Sequence, residues 1–197
     1  MIHLALDGPV PWMAEALRRF AYVHIARSID TASITYSQAV AGLLPEEPVI
    51  VVGQPSVYDS SRAPEGKHVL WVQVRVLPAE IKGDAKGQIT STNWNVAKGA
   101  MAGRVLDLIE AQAPGFKDLI TGMAVVSPND LEQGNPNLVG GDQVCGSHHL
   151  SQNLLFRPAL GFADGKTPIR GLHLIGAATW SGGGSGAGSG FMKAQEL

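Results

Sequence analysis

The sequence is short of the features that would assign it at a glance. It holds one cysteine, Cys145, in 197 residues. An internal disulfide needs two, so no cross-link supports the fold, and a reducing compartment is favoured. No apolar run reaches about eighteen residues, so no membrane span is expected. The opening MIHLALDGPVPW lacks a basic start and carries Asp7 inside its short apolar run, which argues against a secretory signal. Positive charge is not in excess: 15 Lys and Arg stand against 17 Asp and Glu, a formal charge of −2. The basic residues are scattered, so no electrostatic footprint for nucleic acid or an anionic membrane exists. Internal repeats and a dividing linker are also missing. The expectation is a cytoplasmic protein whose partners are small molecules and proteins. Its length is enough for one substantial domain that hides roughly 70% of the open chain's surface.

What is plentiful is glycine. The 24 glycines exceed the usual level of about 7% and gather mainly at residues 134–146 and 182–190, which points to sites rather than general disorder. Around them the chain mixes two periodicities. IHLAL reads as a short strand ending at Asp7-Gly8-Pro9. Trp12, Ala16, Leu17, Phe20 and Val23 recur at helical spacing, with Pro11 tolerated in the first turn, and YVHIA either ends that helix or forms a strand. Residues 31–43 read as a helix capped by Asp30. PVIVVG reads as a buried strand. Leu70, Val72, Val74 and Val76 alternate with Trp71, Gln73 and Arg75, the clearest period-two signal in the chain. Residues 96–112 place Ala97, Met101, Val105, Leu108 and Ile109 on one stripe of a helix capped by Asn93 or Asn95 and stopped by Pro114. MAVVSP reads as a strand and NDLEQGNPNLVGGD as a turn-rich connection. The fold class expected is α+β, with a mixed, partly antiparallel sheet and flanking helices.

Near the end stands GLHLIGAATWSGGGSGAGSGFMKAQEL. LHLIGAA reads as a last buried strand feeding a glycine tract, an arrangement that lets a phosphate or flat ring approach bare backbone. Gly182, Gly184 and Ala187 satisfy the loose G-x-G-x-x-[GA] spacing. Only ten residues follow Ala187, too few for the helix, second strand and acidic residue about 20 positions on that a complete dinucleotide unit requires. On the residues alone the tract is a flexible tether or part of a site completed elsewhere.

Other chemistry is sparse. Cys145 and His148 have C-x-x-H spacing, but structural zinc takes four ligands, and His3, His24, His68 and His173 offer no matching spacing, so no metal is expected. Adjacent His148 and His149 on extended chain point to opposite faces, and at most one enters a common cleft. Trp71 and Trp94 suit either a core or an apolar tunnel. Asp107 and Glu110 read as a solvated helix face. Ser60 and Ser61 lack the context of a nucleophile elbow.

Taken in order, PSVYDSSRAPEGKHVLWVQVRVLP, FKDLITGMAVVSPNDLE, NPNLVGGDQVCGSHHLSQNLLFRPALG and TPIRGLHLIGAATWSGGG resemble the C-terminal half of FAD-dependent oxidoreductases related to phytoene desaturase, in the pyridine nucleotide-disulphide oxidoreductase domain-containing branch. The resemblance covers nearly the whole chain and is weakest before residue 45. It implies a flavoenzyme in which residues 1–170 form a substrate-covering domain, and residues 171–197 a terminal strand, glycine-rich loop and helix start completing an FAD site. The N-terminal nucleotide-binding half that carries G-x-G-x-x-G would be supplied by a longer chain or a separate subunit. Carried over by position, the resemblance nominates Gly176, Ala177, Thr179, Gly182, Gly183 and Gly184 as flavin-contacting. It places His148 and His149 toward a small organic substrate, as weak catalytic candidates. Asp142 and Arg157-Pro158 match family positions, with an architectural role favoured over catalysis. The chain departs from the family's pattern at Trp180-Ser181, where His-Pro is frequent, at Ser185, where valine is usual, and at Ala187, where glycine is usual. The alternative is a non-enzymatic accessory module acting through a protein interface. An apolar face left bare by the missing half would drive self-association, so a homo-oligomer is expected.

Overall fold

The computed structural model describes residues 1–147, 149–183 and 187–197. The chain divides into two compact units, Met1–Gly134 and Asn135–Leu197. The expected α+β class with an antiparallel sheet holds.

The first unit is built on a five-stranded sheet of β1 (Ile2–Leu6), β2 (Tyr22–Ile25), β4 (Ile50–Gly53), β5 (His68–Val74) and β7 (Ile120–Val125), ordered β2-β4-β5-β1-β7. All its pairings are antiparallel. A parallel pair of β3 (Leu43–Leu44) and β6 (Gly83–Asp84) stands apart. The helices of this unit are α1 (Ile29–Val40), α2 (Trp94–Glu110) and the short α3 (Pro128–Gly134).

Alternation decides which way each strand faces. Ile2, Leu4 and Leu6 are buried and sit opposite Val72, Leu70 and His68, while Val52 pairs with Val72. The buried stripe of α2, including Ala97, Met101, Val105 and Ile109, joins these strands in one apolar cluster with Trp12 and Phe116. Fully burying each aliphatic side chain contributes about 1.5–3 kcal/mol, so this cluster is what holds the unit together. The other face is open. His3 and Ala5 are exposed there, in register with Trp71 and Val69. Trp71 lies flat across Gly53 to reach Tyr22, their rings 5.4 Å apart, and a Cβ at Gly53 would fall 2.1 Å from the indole.

Several local expectations shift. The helix expected from Trp12 onward is only a 3-10 turn at Glu15–Arg19, and the chain then extends as β2. Trp12 donates its Nε1–H to Gln54 Oε1 at 2.8 Å, and the Gln54 amide donates to the carbonyls of Leu17 and Phe20. Leu17 O is shared with the closing N–H of Phe20, and Phe20 O is taken by the Gln54 side chain rather than by a next helical turn. Helix α1 starts earlier than expected, capped by Ser28, whose Oγ accepts from Thr31 N at 3.1 Å, and not by Asp30. It ends at Gly42, whose φ of +87° is the left-handed stop that glycine supplies. Glu110 is not merely solvated: its carboxylate accepts from Gly115 N and Lys117 N and so closes the turn after α2. Those backbone hydrogen bonds, Lys117 first, lower its pKa. The connection expected at residues 129–142 begins as α3, capped by Ser127 Oγ accepting from Asp130 N.

One ion pair is buried in this unit. Arg104 grips Asp84 in a bidentate pair at 2.7 and 2.8 Å and also donates to Pro45 O, joining α2 to β6. Burial pushes the Asp84 carboxyl up, but the Arg104 hydrogen bond, the N–H groups of Ile89 and Gln88 and the guanidinium charge outweigh it and hold the group well below the usual carboxylate range. The Lys98 ammonium, aided by Ser127, lowers Asp130 to about 2.

Two predictions follow from these contacts. A depressed native pKa stabilises fully above the unfolded value of about 3.9 and loses that contribution as pH falls through the native value. Thermal melts should therefore show no contribution to pH dependence from Asp84 and Asp130 above about pH 5 and a falling Tm below about pH 4. Arg104→Met, which strands a buried carboxylate, should cost about 3–5 kcal/mol, and the double change Arg104→Met with Asp84→Leu should recover most of it. For the glycines, Gly53→Ala should lower Tm because of the indole above it. Gly103→Ala in α2, where a Cβ meets nothing within 4 Å, should gain up to about 1 kcal/mol. Equal effects of the two substitutions would contradict the Gly53 packing.

Candidate functional site

The second unit is organised around a charge rather than an apolar core. Among its described residues no apolar side chain reaches full burial, whereas Arg157, Thr179, Ser189 and Lys193 do. Leu150, Leu154, Leu155, Leu160 and Ile169 are exposed. Its regular structure is α4 (Gly188–Glu196) together with short 3-10 turns.

The terminal apolar run does not form the expected strand. Residues 172–178 make a single bridge, Lys166 with His173, and Leu172, Leu174 and Ile175 are exposed. A strand needs a neighbour to accept and donate along its length, and among the described residues only that bridge offers one. Periodicity reads the run as buried because it cannot see that the partner is missing. His173 Nδ1 is buried with no hydrogen-bond partner among the described residues.

The turn that follows is well defined. Gly176 N donates to Ser189 Oγ at 2.7 Å, and Gly176 O accepts from Thr179 N and from Thr179 Oγ1 at 3.0 Å. Gly182 N donates to Thr179 O at 2.7 Å, and Ala177 O accepts from Arg157 Nε at 2.9 Å. Gly176, Ala177, Thr179, Gly182 and Gly183 are thus brought together, while Gly184 and Ser185 lie outside the described residues. Thr179, 1% exposed, spends its hydroxyl proton on the turn itself. Among the described residues nothing accepts from the N–H groups of Ala177, Ala178, Trp180 or Gly183, so the turn keeps uncommitted backbone donors, the kind of group that suits an anion. Helix α4 begins five residues after Gly183.

Beside the turn lies a cavity of about 320 Å³, bordered by Leu154, Leu174, Trp180, Met192 and Lys193. Its walls are mostly apolar, as ligand sites are. Lys193, on α4, is buried with its Nζ on Glu196 Oε2 at 2.8 Å. That hydrogen bond, with the ammonium charge behind it, lowers the Glu196 pKa. Asp164, another wall residue, is lowered by the backbone N–H and the ammonium of Lys166. Nothing in the sequence marked Lys193 or Ser189; Ser189 lies in the glycine tract and Lys193 just after it, where helical periodicity is hidden.

The remaining candidates divide. His149 is exposed, and His148 lies outside the described residues. Asp142 caps the next turn, accepting from Val144 N at 2.8 Å and Gly146 N at 2.6 Å. Its role, like that of Arg157, is architectural. Cys145 is free and exposed. Among the described residues no three His, Cys, Asp or Glu side chains gather so as to hold a metal ion, and no helix is long and apolar enough to cross a membrane. In the first unit Trp94 is core, its Nε1–H donating to Ala79 O at 2.9 Å. Trp71 is on the open sheet face, where it can meet a ligand.

No family model matches the chain. It is 34% identical over 150 residues to pyridine nucleotide-disulfide oxidoreductase domain-containing protein 2 of Rattus norvegicus, and equally to the protein of that name from Mus musculus. The matched stretch is 76% of this chain and 24% of each relative, so the chain spans about a quarter of the length of the curated relatives it matches. Over three quarters of its own length the chain is a homologue of the pyridine nucleotide-disulfide oxidoreductase domain-containing proteins.

Proposed function

We propose that the chain is part of an FAD-dependent oxidoreductase of the group related to phytoene desaturase, contributing the substrate-covering sheet and the last backbone contacts to the flavin. The observation that carries this reading is the Gly176–Gly183 turn: a hydrogen-bonded bend with four uncommitted N–H donors among the described residues, in a homologue of proteins named for a pyridine nucleotide-disulfide oxidoreductase domain. Backbone donors of this kind suit a pyrophosphate. Ala177, Ala178 and Gly183 would hold that group, and Thr179 and Ser189 would hold the turn. When bound, FAD supplies the redox chemistry by accepting hydride from a small organic substrate. This chain's part is to bind, orient and exclude water: Trp71 and Tyr22 offer an aromatic surface on the open sheet face, and the cavity beside Trp180 offers an apolar one. His149 is an exposed imidazole on the loop that the resemblance turns toward a substrate.

The bare apolar side chains of the second unit support a further polypeptide as partner. Such a partner, with a nucleotide-binding segment, would cover Leu150, Leu160 and Ile169 and complete the FAD site, and its absence would favour homo-oligomers. A cytoplasmic location accords with the single, unpaired cysteine. The same apolar surface also favours the second reading, an accessory module that works through a protein interface without chemistry.

Production of the chain alone, and together with a G-x-G-x-x-G-bearing polypeptide encoded beside it, separates the two. The flavoenzyme reading expects self-association and no bound chromophore alone, and a yellow, monodisperse complex together. Gly183→Val, which sets a side chain where a Cβ already lies 3.1 Å from Val144, should abolish flavin uptake while the melting of the first unit stays unchanged. A stable complex that remains colourless in excess FAD would support the accessory reading instead.

A further inference from the structure

Arg157 is 1% exposed, and its guanidinium is surrounded by backbone. Nε donates to Ala177 O at 2.9 Å. The two terminal nitrogens turn the other way. They donate to Val144 O at 2.7 Å, Cys145 O at 3.2 Å, Ser147 O at 3.0 Å and Gln152 O at 3.5 Å. No carboxylate pairs with it among the described residues. A guanidinium has five N–H donors in one rigid plane, so its opposite edges fix the separation of whatever they hold.

The glycines of the turn fit the same arrangement. A Cβ at Gly182 would lie 3.3 Å from Arg157 Nε, and one at Gly183 would lie 3.1 Å from Val144 Cβ. Their lack of side chains lets the turn close on the arginine and on the loop that the arginine holds. Lysine cannot substitute, because a single ammonium with three donors does not span two segments.

We propose that Arg157 is a positioning residue that couples the loop bearing Cys145 and His149 to the Ala177–Gly183 turn, so that the substrate-facing and flavin-facing parts of the site move as one body. The functional half of this statement rests on the flavoprotein reading; the coupling itself does not.

The test uses the full chain. The alkylation rate of Cys145, its one thiol, reports on the loop, and amide hydrogen exchange at residues 177–183 reports on the turn. Arg157→Lys and Arg157→Ala should accelerate both together by roughly tenfold or more, the scale set by losing hydrogen bonds to a charged donor. Millimolar guanidinium, but not ammonium, should restore both in Arg157→Ala. The coupling is overturned if loop and turn respond separately, or if guanidinium rescues neither in a protein whose first unit remains folded. Where wild type takes up FAD, Arg157→Lys should weaken uptake and alter the flavin absorption envelope; an unchanged affinity and spectrum overturn the positioning role. If no form takes up FAD even in complex with the G-x-G-x-x-G-bearing polypeptide while loop and turn remain linked, the coupling stands and the flavoprotein reading fails.

Discussion

A guanidinium withdrawn from water must recover its hydrogen bonds from the protein or it will not stay withdrawn. In the second unit that requirement is met by five carbonyl oxygens from two separate stretches of chain. The arrangement does for this unit what the apolar cluster of sheet and α2 does for the first. It also explains why the turn at Gly176–Gly183 keeps its shape with little regular structure around it. Ser189 ties the turn to α4, Thr179 closes it from within, and Arg157 binds it to the preceding loop.

The two units thus have opposite polarity. Strands β1 and β5 put valine, leucine and isoleucine inside and leave histidine, glutamine and tryptophan on the open face. The second unit puts an arginine, a threonine, a serine and a lysine inside and leaves leucine and isoleucine outside. An inverted unit of this sort gains little from the hydrophobic effect by itself and gains much when another surface covers it.

Much of the first unit was legible in the sequence because its signals were local and periodic. Leu70 and Val72 alternate with Trp71 and Gln73, and Ala97, Met101, Val105 and Ile109 return every third or fourth residue; the fold uses both patterns as they read. The segment from Trp12 to Val23 failed because helical spacing there is coincidental. The carbonyls of Leu17 and Phe20 accept from Gln54, more than thirty positions away, and no window of sequence reaches that far. The terminal run failed for the converse reason: Leu172, Leu174 and Ile175 have the composition of a buried strand but lack a neighbour to be buried against. The site was legible as a set of positions and not as a network. The architectural reading of Arg157 was available from the sequence, but its acceptors, all backbone oxygens, carry no residue-type signature at all.

The placement of the four tryptophans has a spectroscopic consequence. Trp12 and Trp94 are sealed in the apolar cluster, Trp71 is half-buried on the open sheet face, and Trp180 borders the cavity of the second unit. Their emission is therefore a composite of indoles in distinct surroundings, and an aqueous quencher such as iodide meets Trp71 and Trp180 before the other two. The molecule carries its own fluorescent labels, one of them on the cavity of the second unit.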